Sequence, residues 1–202
     1  MTKIKICGLY RTEDIDYVNE AKPDYAGFII HFPKSHRNLS IDEVGRLTRR
    51  LDESITSVGV FVDEDADTVI SAMKQNVIRM AQLHGHESAD YIRRVKEAAG
   101  KPVIKAFTVR SADDVREAEL SPADYILLDY GKGEGKPFDW RLLDGLERPY
   151  FLAGGVTAEN LPQILTDIRP WAVDISSGVE TDKVKDREKI ARVVELVRAA
   201  KG

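Results

Sequence analysis

Residues 3–14 read KIKICGLYRTED: lysine alternating with isoleucine, the chain's one cysteine, a single glycine, then a polar segment. Alternation with period two from Lys3 to Cys7 is the pattern of a strand with two different faces, and the acidic residues beyond it can open a helix. Two architectures begin with such a unit. An open, doubly wound sheet that binds a dinucleotide would carry a glycine fingerprint straight after this strand and an acid about 20 positions further on. CGLYRTED has Gly8 alone, so the fingerprint is missing. The unit reads better as the first of a closed barrel.

Seven more short apolar runs follow: YAGFII (25–30), SVGVFV (57–62), RMAQLH (79–84), VIKAF (103–107), YILLD (125–129), YFLAG (150–154) and AVDIS (172–176). Between them lie amphipathic stretches such as SIDEVGRLTRRL (40–51), ESADYIRRVKEAAG (87–100) and DREKIARVVELVRAA (186–200). Several open on a serine or aspartate that can accept a first-turn N–H. Eight strand–helix pairs with no low-complexity linker predict an α/β chain folded as a (β/α)8 TIM barrel, a single domain over residues 1–202.

Composition narrows the partners. Hydrophobic residues make up 43% and charged residues 32%, as in an ordinary soluble globular protein. Thirty basic against thirty-four acidic side chains give a net charge of −4, with no basic block to neutralise a row of phosphates, so nucleic acid is not an expected partner. One cysteine can form neither an internal disulfide nor a thiolate zinc cage. No apolar stretch has the length of a signal peptide or a membrane span, so the expected compartment is the cytoplasm and no membrane partner is expected. Monomer or homodimer is left open.

In a barrel the strand endings share one rim, where the chemistry sits. Here they are Cys7, the loop from His31 to Arg37, Asp63, His84, Asp129, Gly154 with Gly155, and Ser176 to Gly178. The turns AGGVT and DISSGVE expose backbone N–H groups at adjacent strand ends, which points to a phosphorylated ligand, although glycines also simply permit tight turns. GKGEGKPFDW (131–140) fits no nucleotide motif and reads as a lid. Asp129 ends an apolar strand, where a partly desolvated carboxyl suits a proton donor; a loop-ordering role is its bland alternative. If Ile4 and Ile6 face the helices, Lys3, Lys5 and Cys7 point into the barrel with Cys7 uppermost, and at the rim a nearby cation or helix start could lower its pKa from about 8.5 and make it a base or a nucleophile. The alternative is inert packing. Arg37 offers a planar fork for a carboxylate. His84 and His86 stand two apart without a third ligand at metal spacing, so His84 is expected to be a neutral hydrogen-bonding group and no metal is expected.

KICG, GFIIHFPKSHR, VGVFV, AQLHG, VIKAF, LLD, the glycine turn with FDW, LAGGV and VDISSGVE, in that order over nearly the whole chain, resemble the phosphoribosylanthranilate isomerases of tryptophan biosynthesis. The resemblance implies an Amadori rearrangement without cofactor or metal, with Asp129 as general acid and Cys7 as general base. It further implies Arg37 on the anthranilate carboxylate, His84 and Asp174 near the substrate, and Gly133, Gly155, Ser177 and Gly178 around the phosphate. Association with neighbouring pathway enzymes is compatible with it. Three positions depart from the family pattern: His36 where proline is common, His86 where aspartate often stands, and Glu134 where threonine is usual. An isomerase of another phosphosugar, sharing the phosphate turns but not the carboxylate grip, stays open at this level, as does a non-catalytic binding domain.

Overall fold

A computed structural model describes residues 1–131, 140–143 and 145–200. Eight parallel strands run in it: β1 (Lys3–Cys7), β2 (Tyr25–Ile30), β3 (Thr56–Phe61), β4 (Met80–Leu83), β5 (Val103–Thr108), β6 (Tyr125–Asp129), β7 (Tyr150–Ala153) and β8 (Ala172–Ile175). Each pairs with the next, and β1 pairs with both β2 and β8, so the sheet closes on itself. The predicted runs match these strands to within a residue or two at each end. A two-residue strand, Asn38–Leu39, adds to the edge of β2, and a small hairpin pairs Glu180–Thr181 with Val184–Lys185 beyond β8.

Among the described residues, seven α-helices surround the barrel: α1 (Thr12–Ala21), α2 (Ile41–Thr48), α3 (Ala66–Lys74), α4 (Ala89–Ala99), α5 (Ala112–Glu119), α6 (Leu161–Asp167) and α7 (Arg187–Ala199). The expected serine and aspartate caps are in place. Ser40, Ser88 and Asp186 accept first-turn N–H groups of α2, α4 and α7. The expectation of eight strand–helix pairs needs one correction: after β6 the described residues hold only a short 3-10 turn, Trp140–Leu143. Residues 132–139, and with them the proposed lid, Gly133 and Glu134, lie outside the described residues.

Strand alternation sorts the core into two. Ile4, Ile6, Phe28, Phe61, Leu83 and Leu128 face outward and pack with the helices. Inside the barrel, Tyr25, Val58, Met80, Ile104, Leu127, Phe151 and Ala172 form a separate apolar plug. Its floor is aromatic: Phe151 meets Tyr25 at 5.3 Å and Tyr125 at 5.9 Å between ring centroids, and Lys3 lies 4.2 Å over the Trp171 ring. With the floor filled by side chains, the barrel opens only at its C-terminal mouth, as expected of this architecture.

Candidate active site

Strand β1 behaves as its alternation predicts. Ile4 and Ile6 are buried against the helices, while Lys5 and Cys7 point inward. Lys5 is fully buried, and its register partner on β8 is Asp174, whose two carboxylate oxygens accept from Lys5 Nζ at 3.0 and 2.9 Å. Neutralising that lysine is what makes it tolerable in the barrel, since an unpaired buried ammonium would be strongly destabilising.

One step higher, Cys7, 8% exposed, opens into a cavity of about 340 Å³ at the mouth. Arg37, His84, Asp129, Gly155, Asp174, Ser177 and Gly178 line the same cavity. Every described residue proposed for the site from sequence is thus brought to one place. Strands β7 and β8 stand between β6 and β1, so Asp129 and Cys7 approach from separated walls. A larger depression of about 680 Å³ lies beside the mouth, between α4 and α5. It contains His84 but neither Cys7 nor Asp129, and its buried charges, Lys105 and Glu87, are already paired at 2.9 Å.

The expected cation-lowered thiol requires a correction. Burial pushes the Cys7 thiol up, and this outweighs the opposing pull of the Lys5 ammonium; Asp174 adds to the rise and Lys185 opposes it. The sequence places the cation correctly but cannot weigh it against desolvation.

Asp129 Oδ1 accepts from Gly131 N at 2.8 Å, and Oδ2 lies 3.7 Å from His84 Nε2, beyond hydrogen-bond length. Burial pulls His84 toward its neutral form, though Asp129 opposes. With the Gln82 amide nitrogen turned to His84 Nδ1 at 3.1 Å, the neutral ring carries its proton on Nε2, facing Asp129. Gln82 is 1% exposed, lines the cavity, and its Oε1 has no partner among the described residues. Turning the amide over would orphan its nitrogen instead, so either way one end waits for a ligand or water.

The loop carrying His84 is tied from behind. Lys105 Nζ donates to Gly85 O at 2.6 Å and to Glu87, whose carboxylate also accepts from Gly85 N and Asp63 N. His86, 96% exposed, pairs with Asp63 away from the cavity.

Arg37 is gripped by Glu180. Nε and Nη2 donate to its two carboxylate oxygens at 2.7 and 2.6 Å, and Lys185 donates to the same group at 2.7 Å. Burial works against a charged Glu180, but its hydrogen bonds with Arg37 and Lys185 outweigh it and hold the group at about 2. The second edge of the guanidinium, at Nη1, has no partner among the described residues and borders the cavity. His36 reinforces this corner: its ring packs edge-on to Tyr10, and Nε2 lies 3.2 Å from the Lys183 carbonyl of the hairpin.

Between the glycine turns, the N–H groups of Gly155, Ser177 and Gly178 donate to no described residue. The loops after β7 and β8 approach so closely that a β-carbon at Gly178 would lie 2.1 Å from the Val156 carbonyl oxygen. Only glycine permits that contact.

Gln82, Glu180 and Lys185 are not singled out by the sequence, and Lys5 is placed inside the barrel by it but without its partner. Lysine inside the apolar run KIKIC and glutamate closing VDISSGVE were the available signals, but their partners are 169 and 143 positions away in the chain. Among the described residues no cluster of His, Cys, Asp and Glu is placed to hold a metal ion, and no helix is long and apolar enough to cross a membrane.

Fold and mouth place the chain among the (β/α)8-barrel enzymes. Residues 4–196 match the model of the N-(5'-phosphoribosyl)anthranilate (PRA) isomerase family. The chain belongs to that family. An N-(5'-phosphoribosyl)anthranilate isomerase of Endomicrobium trichonymphae is 44% identical, covering 98% of this chain and 100% of its own. That of Clostridium acetobutylicum is 40% identical over the whole of both chains. The crystal structure of the Thermotoga maritima phosphoribosylanthranilate isomerase superposes with a TM-score of 0.89 at 33% identity, covering 98% of this chain and 100% of that one. A crystal structure of such an isomerase in complex with reduced 1-(o-carboxyphenylamino)-1-deoxyribulose 5-phosphate superposes with a TM-score of 0.87 at 32% identity, with the same coverage.

Proposed function

We propose that this chain catalyses the Amadori rearrangement of N-(5-phosphoribosyl)anthranilate to 1-(2-carboxyphenylamino)-1-deoxyribulose 5-phosphate in tryptophan biosynthesis, with Asp129 as general acid and Cys7 as general base. The observation that carries the assignment is that these two groups, from non-adjacent strands, open into one cavity beside a cluster of free backbone N–H groups.

Asp129 protonates the furanose ring oxygen, the C1–O bond breaks, and the anthranilate nitrogen supplies the electron pair that forms the Schiff base. Cys7, after its thiol has released its proton to solvent, takes the C2 proton as the thiolate, leaving an enolamine that tautomerises to the ketone by losing the enol proton and gaining one at C1. No net oxidation occurs and no atom leaves, so the step needs no co-reactant. Approach from separated walls lets acid and base act on different atoms of one bound ribose.

Binding is divided around the mouth. The N–H groups of Gly155, Ser177 and Gly178 receive the phosphate, as turns at the last two strands of such barrels commonly do. The free edge of Arg37 takes the anthranilate carboxylate, already oriented by Glu180. The unpaired end of Gln82 takes a sugar hydroxyl, and neutral His84 offers Nε2–H beside Asp129. Asp174 serves the site through Lys5, because that lysine occupies both of its oxygens. The cytoplasm is the compartment we assign to this activity.

The test follows the loss of phosphoribosylanthranilate fluorescence with purified protein. Turnover by wild type, abolished in Cys7→Ser and in Asp129→Asn without loss of fold by circular dichroism, is the expected result. Wild-type kcat in both variants would refute the acid and base roles.

A further inference from the structure

Among the described residues, Lys5 is a fully buried charged side chain inside the barrel that touches no expected substrate position, and it stands directly beneath the reactive sulfur. Two residues apart on β1, Lys5 and Cys7 share the inward face. The neighbouring inward position on β2, opposite Cys7 in register, is Gly27. A β-carbon there would lie 2.8 Å from Cys7 Sγ and 3.1 Å from Lys5 Nζ. Both atoms therefore fill the space that any other residue at position 27 would claim, and they lie within about 6 Å of each other, inside the range over which a charge moves a neighbour's proton affinity. Lys5 Nζ donates to both oxygens of Asp174, and it acts on the sulfur through its charge and through a side-chain hydrogen bond.

We infer that Lys5, kept charged by Asp174 and given room by Gly27, is a positioning residue that sets how readily the Cys7 thiol gives up its proton. Its place in the reaction rests on the base role proposed above. Burial alone would hold the thiol neutral, and the ammonium below it is the largest force in the other direction. The remaining charges around the sulfur cannot replace it. Asp174 on β8 has the opposite effect. Lys185 of the hairpin and Arg37 of the β2–α2 loop are positive, but both are tied to Glu180, which cancels part of their field. His84 on β4 is drawn toward neutrality, and Asp129 stands on β6 across the cavity. The lysine in turn stays protonated despite its burial because of Asp174 and the sulfur itself.

The chain has a single cysteine, so alkylation by iodoacetamide reports on Cys7 alone and needs no turnover. The rate of labelling against pH gives the thiol's midpoint in wild type, in Lys5→Met and in Lys5→Met/Asp174→Asn, with folding checked by circular dichroism. The double variant removes both members of the pair, so it keeps the test open if the single variant, with an unpaired carboxylate, does not fold. We expect labelling of Lys5→Met at neutral pH to slow at least tenfold through an upward midpoint, and the double variant to shift upward by less. Folded variants whose midpoints equal that of wild type would overturn the inference. The acid limb of kcat/KM against pH should move with the midpoint. If the midpoint moves and that limb stays, Lys5 still tunes the sulfur, and it is the assignment of Cys7 as base that fails.

Discussion

The floor and the mouth of this barrel are built from the same eight strands and differ in almost every physical respect. At the floor, Phe151 meets Tyr25 and Tyr125 edge to face, Trp171 packs tilted against Tyr125, and the rings plug the interior. At the mouth, 340 Å³ is left open, a buried ion pair sits under a buried thiol, and, among the described residues, Gln82 Oε1 and three backbone N–H groups have no partner. The floor is arranged for packing and the mouth for a ligand. Stability and function are therefore separable along the barrel axis, and substitutions at the two ends should fail in different measurements.

The sharpest contrast is between Asp129→Asn or Cys7→Ser at the mouth and Phe151→Ala at the floor. Removing the acid or the base should lower kcat by about 10²–10⁴-fold with the melting temperature little changed. Phe151→Ala should cost about 3–5 kcal/mol of stability in denaturant titration while the folded fraction keeps its kcat. A floor variant that lost kcat per folded molecule would break the separation.

Arg37→Met should act next most strongly, raising KM by about ten- to a hundredfold through loss of a charge-assisted contact, with a smaller effect on kcat. It also releases Glu180, so the variant tests whether the hairpin depends on the arginine. The hairpin itself has a pH signature. Glu180 is held at about 2 in the folded chain against an ordinary value near 4.5. A depressed folded-state value means that its contribution is fully present above about pH 4.5 and is lost as pH falls toward 2. Acid titration of wild type and Glu180→Gln should therefore show a slope in that window for wild type, from this group, that the variant lacks. The smallest effect is expected from Gln82→Leu: a three- to tenfold loss in kcat/KM, corresponding to about 1 kcal/mol for a hydroxyl contact. Its melting temperature should be equal or higher, because an orphaned polar atom is removed.

Much of this was legible in the chain itself. Cys7 at the head of an alternating strand, Asp129 at the end of an apolar one and the two glycine turns after β7 and β8 declare themselves because strand period and chain direction are local properties. The helix caps Ser40, Ser88 and Asp186 were readable for the same reason. Gln82 and Glu180 were not, and of Lys5 only the inward position was, since what makes each matter is a partner brought across the barrel. Lys105, inside the run VIKAF, likewise finds its partner Glu87 only in the folded chain.

By itself, the sequence determined eight strands, their alternating faces, the rim on which the polar endings collect, and which residues were chemically able to act there. Tertiary structure alone decided that Lys5 meets Asp174, that Glu180 takes one edge of Arg37 and leaves the other, and that burial outweighs the cation at Cys7. Periodicity is carried by neighbours in the chain, whereas proton affinity and ion pairing depend on distance and on exclusion of water, and those exist only once the barrel has closed.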